Sequence, residues 1–261
     1  MVDASDFLGS TRTYGHRLIA AARDVDLDAP VPTCPDWRVR DLVAHTAAVY
    51  QHKATTVADG WVEDSPPWPK GVAETTGGDV VGVLETSLDA LLVVLSNADL
   101  TKPTYTWCDH DHTVAWWVRR MAHESLIHAA DAIIAGGGAP TSENWLAMDG
   151  VDEILEEMMV GAPEWATIKE TTRRVDLRAG DRMWGLRVAS WSGTGPTSGT
   201  VYADEPALIF DSAGSGDATI STDPANLNYW LWGRAILPPG AVDGDGSLAE
   251  YVRTVAAVST G

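Results

Sequence analysis

TVAWWVRRMAHESLIHAADAIIA, Thr113 to Ala135, is an apolar-periodic run with Trp116, Trp117, Met121, Leu126, Ile127 and Ile133 at helical spacing. Gly136-Gly137-Gly138 ends it. Three runs before it read the same way. Ser5 to Arg23 carries Phe7, Leu8, Leu18, Ile19 and Ala22. Pro30 and Pro32 then break the chain, and Asp36 is the expected N-cap of a helix from Trp37 to Thr55. After the loop Pro66-Pro67-Trp68-Pro69, Asp79 to Leu95 holds Val80, Val83, Leu84, Leu88, Leu91, Leu92 and Leu95. Four long helices predict an up-and-down bundle, with any site built from side chains on facing helices.

The pattern changes after a further helix expected over 144–160. Arg174–Leu177, Trp184–Ser190, Gly199–Ala203 and Ala218–Ser221 read as strands between Gly-rich turns. Asn226–Gly233 and Ser247–Val258 read as helices. The expected architecture is multi-domain: a helical domain over 1–165, then a small α+β domain over 166–261. No internal repeat or low-complexity segment stands out.

An apolar content of 45% is that of a folded globule, and 261 residues suffice for two modest domains. No uninterrupted apolar window of about 18 residues occurs, so a membrane partner is not expected. The start, Met1 to Asp6, is acidic and lacks the basic and apolar regions of a secretory signal. Two cysteines make no disulfide framework. These features predict a cytoplasmic protein. A formal charge of −19 opposes nucleic-acid binding, since Arg119-Arg120 and Arg173-Arg174 are the only obvious basic clusters and both are short. Lys occurs only four times among 18 basic residues, a composition that suits a GC-rich genome.

The chemistry concentrates in the fourth helix. Glu124 and His128 lie one turn apart on one face, and a His from a second helix would complete an N/N/O set with a fourth position open. The bland alternative is an ordinary i,i+4 polar pair. His123-Glu124 invites a zinc-peptidase reading, but His123 and His128 are five residues apart, roughly 140° around the helix, and cannot easily share an ion.

Cys34-Pro35-Asp36-Trp37-Arg38-Val39-Arg40-Asp41-Leu42-Val43-Ala44-His45, followed by Glu124-x-x-x-His128-x-x-Asp131, resembles the mycothiol-dependent maleylpyruvate isomerase family. NLNYWLWGRAILPP (Asn226–Pro239) and DGDGSLAEYV (Asp243–Val252) resemble its C-terminal signature, so the likeness spans nearly the whole chain. It implies a DinB-like metal-binding four-helix bundle followed by a sterol-carrier-like α+β domain. By matching position it places the metal ligands on His45, Glu124 and His128. It assigns no catalytic residue beyond them. Members often carry Arg-Trp where this chain has Ala129-Ala130, so the substrate is not inherited with the fold.

Around this set, Asp41 stands one turn before His45 and Asp131 three residues after His128. Each is placed to accept the second ring N–H of its histidine. The alternatives are a first-turn carboxylate for Asp41 and a surface charge for Asp131. Arg120 is expected either to pair with Glu124, as a surface pair, or to anchor an anionic substrate. Arg234 is expected as a substrate contact or a structural ion pair. His52 reads as a solvated group or a neighbour of the site. Cys34 reads as a small buried hydrophobe. Trp107-Cys108-Asp109-His110-Asp111-His112 has no zinc-like spacing and reads as an exposed loop or cleft rim.

The resemblance implies a mycothiol-dependent metalloenzyme, most readily with zinc, that acts on an electrophilic small molecule as a cis–trans isomerase or a thiol S-transferase. A thiol-independent metalloenzyme and a non-catalytic small-molecule-binding protein on the same fold are the rival readings.

Overall fold

The computed structural model describes residues 3–72, 78–214 and 216–260. Two compact units divide the chain, Met1–Thr141 and Ser142–Gly261.

In the first unit, helix α1 spans Ala4–Asp24. Asp3 opens it: its carboxylate accepts the amide N–H of Ser5 and Asp6, and Asp6 takes the N–H of Asp3 at 2.9 Å. This reciprocal box satisfies amides that a helix start leaves orphaned. A short hairpin follows, β1 (Pro30–Val31) against β2 (Cys34–Arg38). Helix α2 therefore starts at Val39 and runs to Ala58, not at Trp37 as expected, and Asp36 lies in the strand rather than at the cap. Pairing with β1 holds this segment extended, and Pro35 already biases Cys34 that way. The cap residue is Arg38, whose N–H is taken by Asp41 at 2.8 Å.

Helix α3 is Val80–Asn97, capped by Asp79 on the N–H of Gly82. By length and composition alone it resembles a membrane-crossing helix. In the bundle its stripe of Leu84, Leu88, Leu91, Leu92 and Leu95 is buried, while Asp89 is exposed and Glu85 pairs with Arg23. Helix α4 is Val114–Ala135, and its last carbonyls are taken by the amides of Gly136, Gly137 and Gly138. Gly137 sits at φ +77°, which only glycine adopts without cost.

The packing partners form a ring: α1 with α4, α4 with α2, α2 with α3, α3 with α1. This is not the expected up-and-down order, in which helices consecutive in sequence are neighbours. Here α1 and α2 sit across the ring, as do α3 and α4. The hairpin and the long segment between Asn97 and Val114 make those crossings. The result sets α2 beside α4, and Tyr50 on α2 bonds Ser125 on α4, Oη to Oγ, at 2.6 Å.

The second unit begins with α5 (Asn144–Ile154), continued by a π-helical turn, Leu155–Met159. The unit boundary thus falls well before residue 165, where the sequence reading set it. The reason is packing: α5 lies against α6 (Pro224–Leu231), and Gly150 lets the Asn228 amide approach so closely that a Cβ there would meet it at 2.9 Å. A five-stranded sheet of order β5-β4-β3-β6-β7 follows, from Thr167–Ala179 (β3), Arg182–Thr194 (β4), Val201–Asp211 (β5), Ala218–Thr222 (β6) and Val242–Gly244 (β7). Its one parallel pair is β3 with β6. Helix α7 is Ser247–Thr260, and its Val252 and Val255 are buried, as are Leu177, Leu186, Leu208 and Ile220 of the sheet. The expected α+β character holds, with strands longer than the sequence pattern marked.

Leu88 is fully buried and reaches the bare face of Gly15 on α1, where a Cβ would stand 2.6 Å from its methyl. Leu88→Ala is expected to destabilise the protein by about 2–5 kcal/mol, the cost of an uncollapsed core cavity. Urea unfolding measures it, and a loss under about 1 kcal/mol would place the α1–α3 seam outside the cooperative core.

Candidate metal centre

Trp117, Arg120, Glu124 and His128 lie on one face of α4, because seven and eleven residues are close to whole numbers of turns. On α2, His45 meets this stripe. Its Nε2 is 3.6 Å from Glu124 Oε1, and His128 Nε2 is 3.2 Å from the same oxygen. One donor atom from each of the three residues lies within 4.8 Å of the others. The sequence-expected trio is therefore together in space.

The donors are prepared unequally. Nδ1 of His128 faces Asp131 Oδ2 at 3.0 Å, which leaves Nε2 turned to Glu124. Asp131 is fully buried, not a surface charge, and its other oxygen accepts the Thr33 hydroxyl at 2.5 Å. The Cys34 thiol also points at Asp131, 3.9 Å away. Trp37 from β2 lies over both rings, 4.8 Å from His45 and 6.2 Å from His128 between centroids. The side chain of His45 is 38% exposed while those of Glu124 and His128 are nearly enclosed, so the approach from solvent is on the His45 side.

Electrostatics follow from burial. Burial alone would raise the Glu124 carboxyl, but the charges on His128 and Arg120 outweigh it and hold it well below the ordinary range. Burial would lower His128, but Glu124 and Asp131 push it up to about 9. Without an ion, His128 is thus an imidazolium between two carboxylates, with the proton on its Nε2 facing Glu124. Two imidazole nitrogens and one carboxylate oxygen, with one histidine oriented by a carboxylate behind it, fit a divalent ion that replaces that proton.

Asp41 does not hold His45; it takes the Arg38 N–H, the helix-start role. Arg120 is buried, and its Nη2 bonds Glu124 Oε2 at 2.5 Å, so it is no surface pair. Arg234 belongs to the second unit, where its guanidinium bonds the carbonyl of Trp232 and lies near that ring. His123 is buried edge-on to Phe7 of α1. His110 and His112 stand on an exposed loop, but Cys108 is buried, its sulfur accepting the amides of His110 and Asp111.

His52 is not solvated. Its Nε2 is 2.9 Å from the Pro66 carbonyl and its Nδ1 is 3.0 Å from Lys53 Nζ. The carbonyl can only accept, so Nε2 carries the proton and Nδ1 accepts from lysine. Burial, and then Lys53, lower the His52 pKa and keep the ring neutral. Lys53 carries no signal of its own in the sequence, where a helical lysine reads as a surface group. It is 6% exposed, lies over the rings of Trp117 and Trp68 at 4.3 and 4.9 Å, and burial pushes it down to about 8. Trp68 also stacks on His52. This cation shares the α2–α4 seam with the trio, and among the described residues no carboxylate forms an ion pair with it.

Comparison with known proteins gives two family matches. Residues 8–133 match the Mycothiol maleylpyruvate isomerase N-terminal domain, and residues 146–253 match the MDMPI C-terminal domain. No curated protein matches the sequence. Among solved structures, a mycothiol-dependent maleylpyruvate isomerase superposes with TM-score 0.56 at 16% identity, covering 92% of each chain. A histidine-to-alanine mutant of a mycothiol-dependent maleylpyruvate isomerase superposes with TM-score 0.55 at 14% identity, covering 88% of each chain. At such identity these two establish the fold.

Lys53 offers a direct measurement. A lysine whose folded pKa lies below its unfolded value costs stability wherever both states are protonated, and the cost fades as pH rises from about 8 towards 10.5. Lys53→Met is expected to stabilise the protein at pH 7 by roughly 1–3 kcal/mol, a gain that shrinks above pH 8. Denaturant unfolding at pH 7 and 10 measures this. Destabilisation at pH 7 would mean that the two tryptophans and His52 more than compensate the buried charge.

Proposed function

Because the chain belongs to the mycothiol maleylpyruvate isomerase family, with both its N-terminal and its C-terminal domain, we propose that it is a mycothiol-dependent, metal-dependent enzyme acting on an electrophilic small molecule. The observation that carries the reading is the convergence of His45 Nε2 and His128 Nε2 on one oxygen of Glu124, with His45 half-open to solvent. His45, Glu124 and His128 would hold a zinc-like divalent ion, which would supply the Lewis acidity that favours a thiolate at neutral pH.

The chain's own groups do the rest. Asp131, braced by Thr33, fixes the His128 ring and keeps its Nδ1 protonated. Trp37 stands tilted beside both histidine rings and gives the site an apolar wall on that side. Lys53 brings positive charge to the seam of a protein whose formal net charge is −19, which favours an acidic electrophile. The chemistry we assign is addition of the thiol sulfur to one carbon of a conjugated cis alkene, rotation about the resulting single bond, and expulsion of the thiol to leave the trans alkene. Retention of the thiol would make the same site an S-transferase. A cytoplasmic setting is part of this proposal, since Cys34 and Cys108 form no disulfide.

Elemental analysis of protein purified without chelator or nickel tests the reading. About one zinc per chain is expected, lost in His45→Ala and Glu124→Ala while circular dichroism stays unchanged. With mycothiol and a cis-configured unsaturated acid, the trans acid is the expected product. An accumulating S-conjugate would assign the transferase, and turnover without thiol would assign thiol-independent chemistry. No zinc even after its addition would leave a small-molecule-binding protein.

A further inference from the structure

The two oxygens of Glu124 have different surroundings. Oε1 faces the Nε2 atoms of His128 and His45 at 3.2 and 3.6 Å. Oε2 accepts Nη2 of Arg120 at 2.5 Å. Arg120 stands one turn earlier on the same helix, and its side chain is 8% exposed against 12% for Glu124. On a helix surface such an i,i+4 pair contributes a few tenths of a kcal/mol and holds nothing rigidly. Enclosed, the same pair is a firm constraint, because separating the partners leaves two desolvated charges. A guanidinium is also permanently charged, so the grip on Oε2 does not relax with pH.

A glutamate can bind a divalent ion through one oxygen or through both. Nothing in the three-ligand arrangement itself chooses between these modes. Arg120 does. With Oε2 committed to the guanidinium, rotation of the carboxylate to offer both oxygens would break a buried charged hydrogen bond. The guanidinium also draws charge from the carboxylate, making it a poorer donor and leaving a bound ion more electrophilic.

Resting on the metal-dependent reading above, we propose that Arg120 is a positioning residue that makes Glu124 a one-oxygen ligand. The protein then supplies three donor atoms and no more, and the remaining coordination positions stay available to the reacting thiol. Removing Arg120 releases Oε2 to become a fourth protein donor in competition with that thiol.

The test uses the full chain loaded with cobalt(II) or zinc, in wild type, Arg120→Met and Arg120→Lys, after circular dichroism shows that each is folded. X-ray absorption on the zinc forms counts light-atom neighbours, and the cobalt forms report coordination number through their visible bands. Arg120→Met is expected to gain one oxygen neighbour, with weaker cobalt bands. Arg120→Lys keeps a cation near Oε2 and is expected to restore the wild-type spectrum. If Arg120→Met does not fold, Arg120→Gln, which removes the charge and the reach, carries the same comparison. A variant without the guanidinium that binds the ion with wild-type coordination number and bands overturns the role of Arg120 alone. A wild type that takes up neither ion overturns the metal reading together with the positioning role built on it.

Discussion

The first unit is organised around one nearly enclosed carboxylate, that of Glu124. Moving a carboxylate out of water costs several kcal/mol unless opposite charge and hydrogen bonds meet it. Glu124 is met on both oxygens, by His128 and His45 on one and Arg120 on the other. Each partner is then fixed in turn. His128 needs Asp131, and Asp131 needs the Thr33 hydroxyl. The chain of dependence runs from the middle of α4 to the turn of the β1–β2 hairpin. A protein dominated elsewhere by leucine packing thus carries a connected polar path through its interior, and such a path is tolerable only when every member is satisfied.

The hairpin explains why a short strand interrupts an otherwise helical unit. If the helix began at Trp37, that ring would not be carried on an extended segment beside His45 and His128. Held in β2, Trp37 lies across both rings, while Thr33 and Cys34 reach Asp131 from the turn. The backbone amides of Val39 and Arg40 bond the carbonyls of Ala29 and Leu27, which ties the hairpin to the first turn of α2. The segment that sets the site's wall is thereby anchored to the helix that supplies His45.

Much of this was legible in the residues, and the failures have local causes. The leucine stripe of α3 and the triple glycine after α4 mark their elements without help from tertiary structure. Glu124 and His128 declare a shared face through their spacing alone, but spacing could not choose between an ion site and a polar pair. His45 needed the resemblance. The first half of β3, from Thr167 to Arg173, is exposed and polar, so no alternation betrays it. Asp36 satisfies every local rule for a cap, yet strand pairing with Pro30 and Val31 overrode propensity. Asp41 illustrates the converse: the local role won over the distant one. Lys53 was invisible because its burial depends on Trp68, from a loop, and Trp117, from another helix. Nothing within a few residues of Lys53 carries that information.

The ring order of the bundle bears on how the molecule comes to exist. The two helices that meet at Glu124 are separated in the chain by the whole of α3, and no hairpin of adjacent helices contains the trio. Local contacts form early and cheaply, whereas those that close long loops wait for the topology to assemble. The α2–α3 pair is the local one and holds only His45. The other two donors arrive when α4 docks, bringing Asp131 to the hairpin in the same motion. During synthesis, His45 therefore waits for nearly the entire first unit to emerge. No partial structure presents the complete constellation of His45, Glu124 and His128.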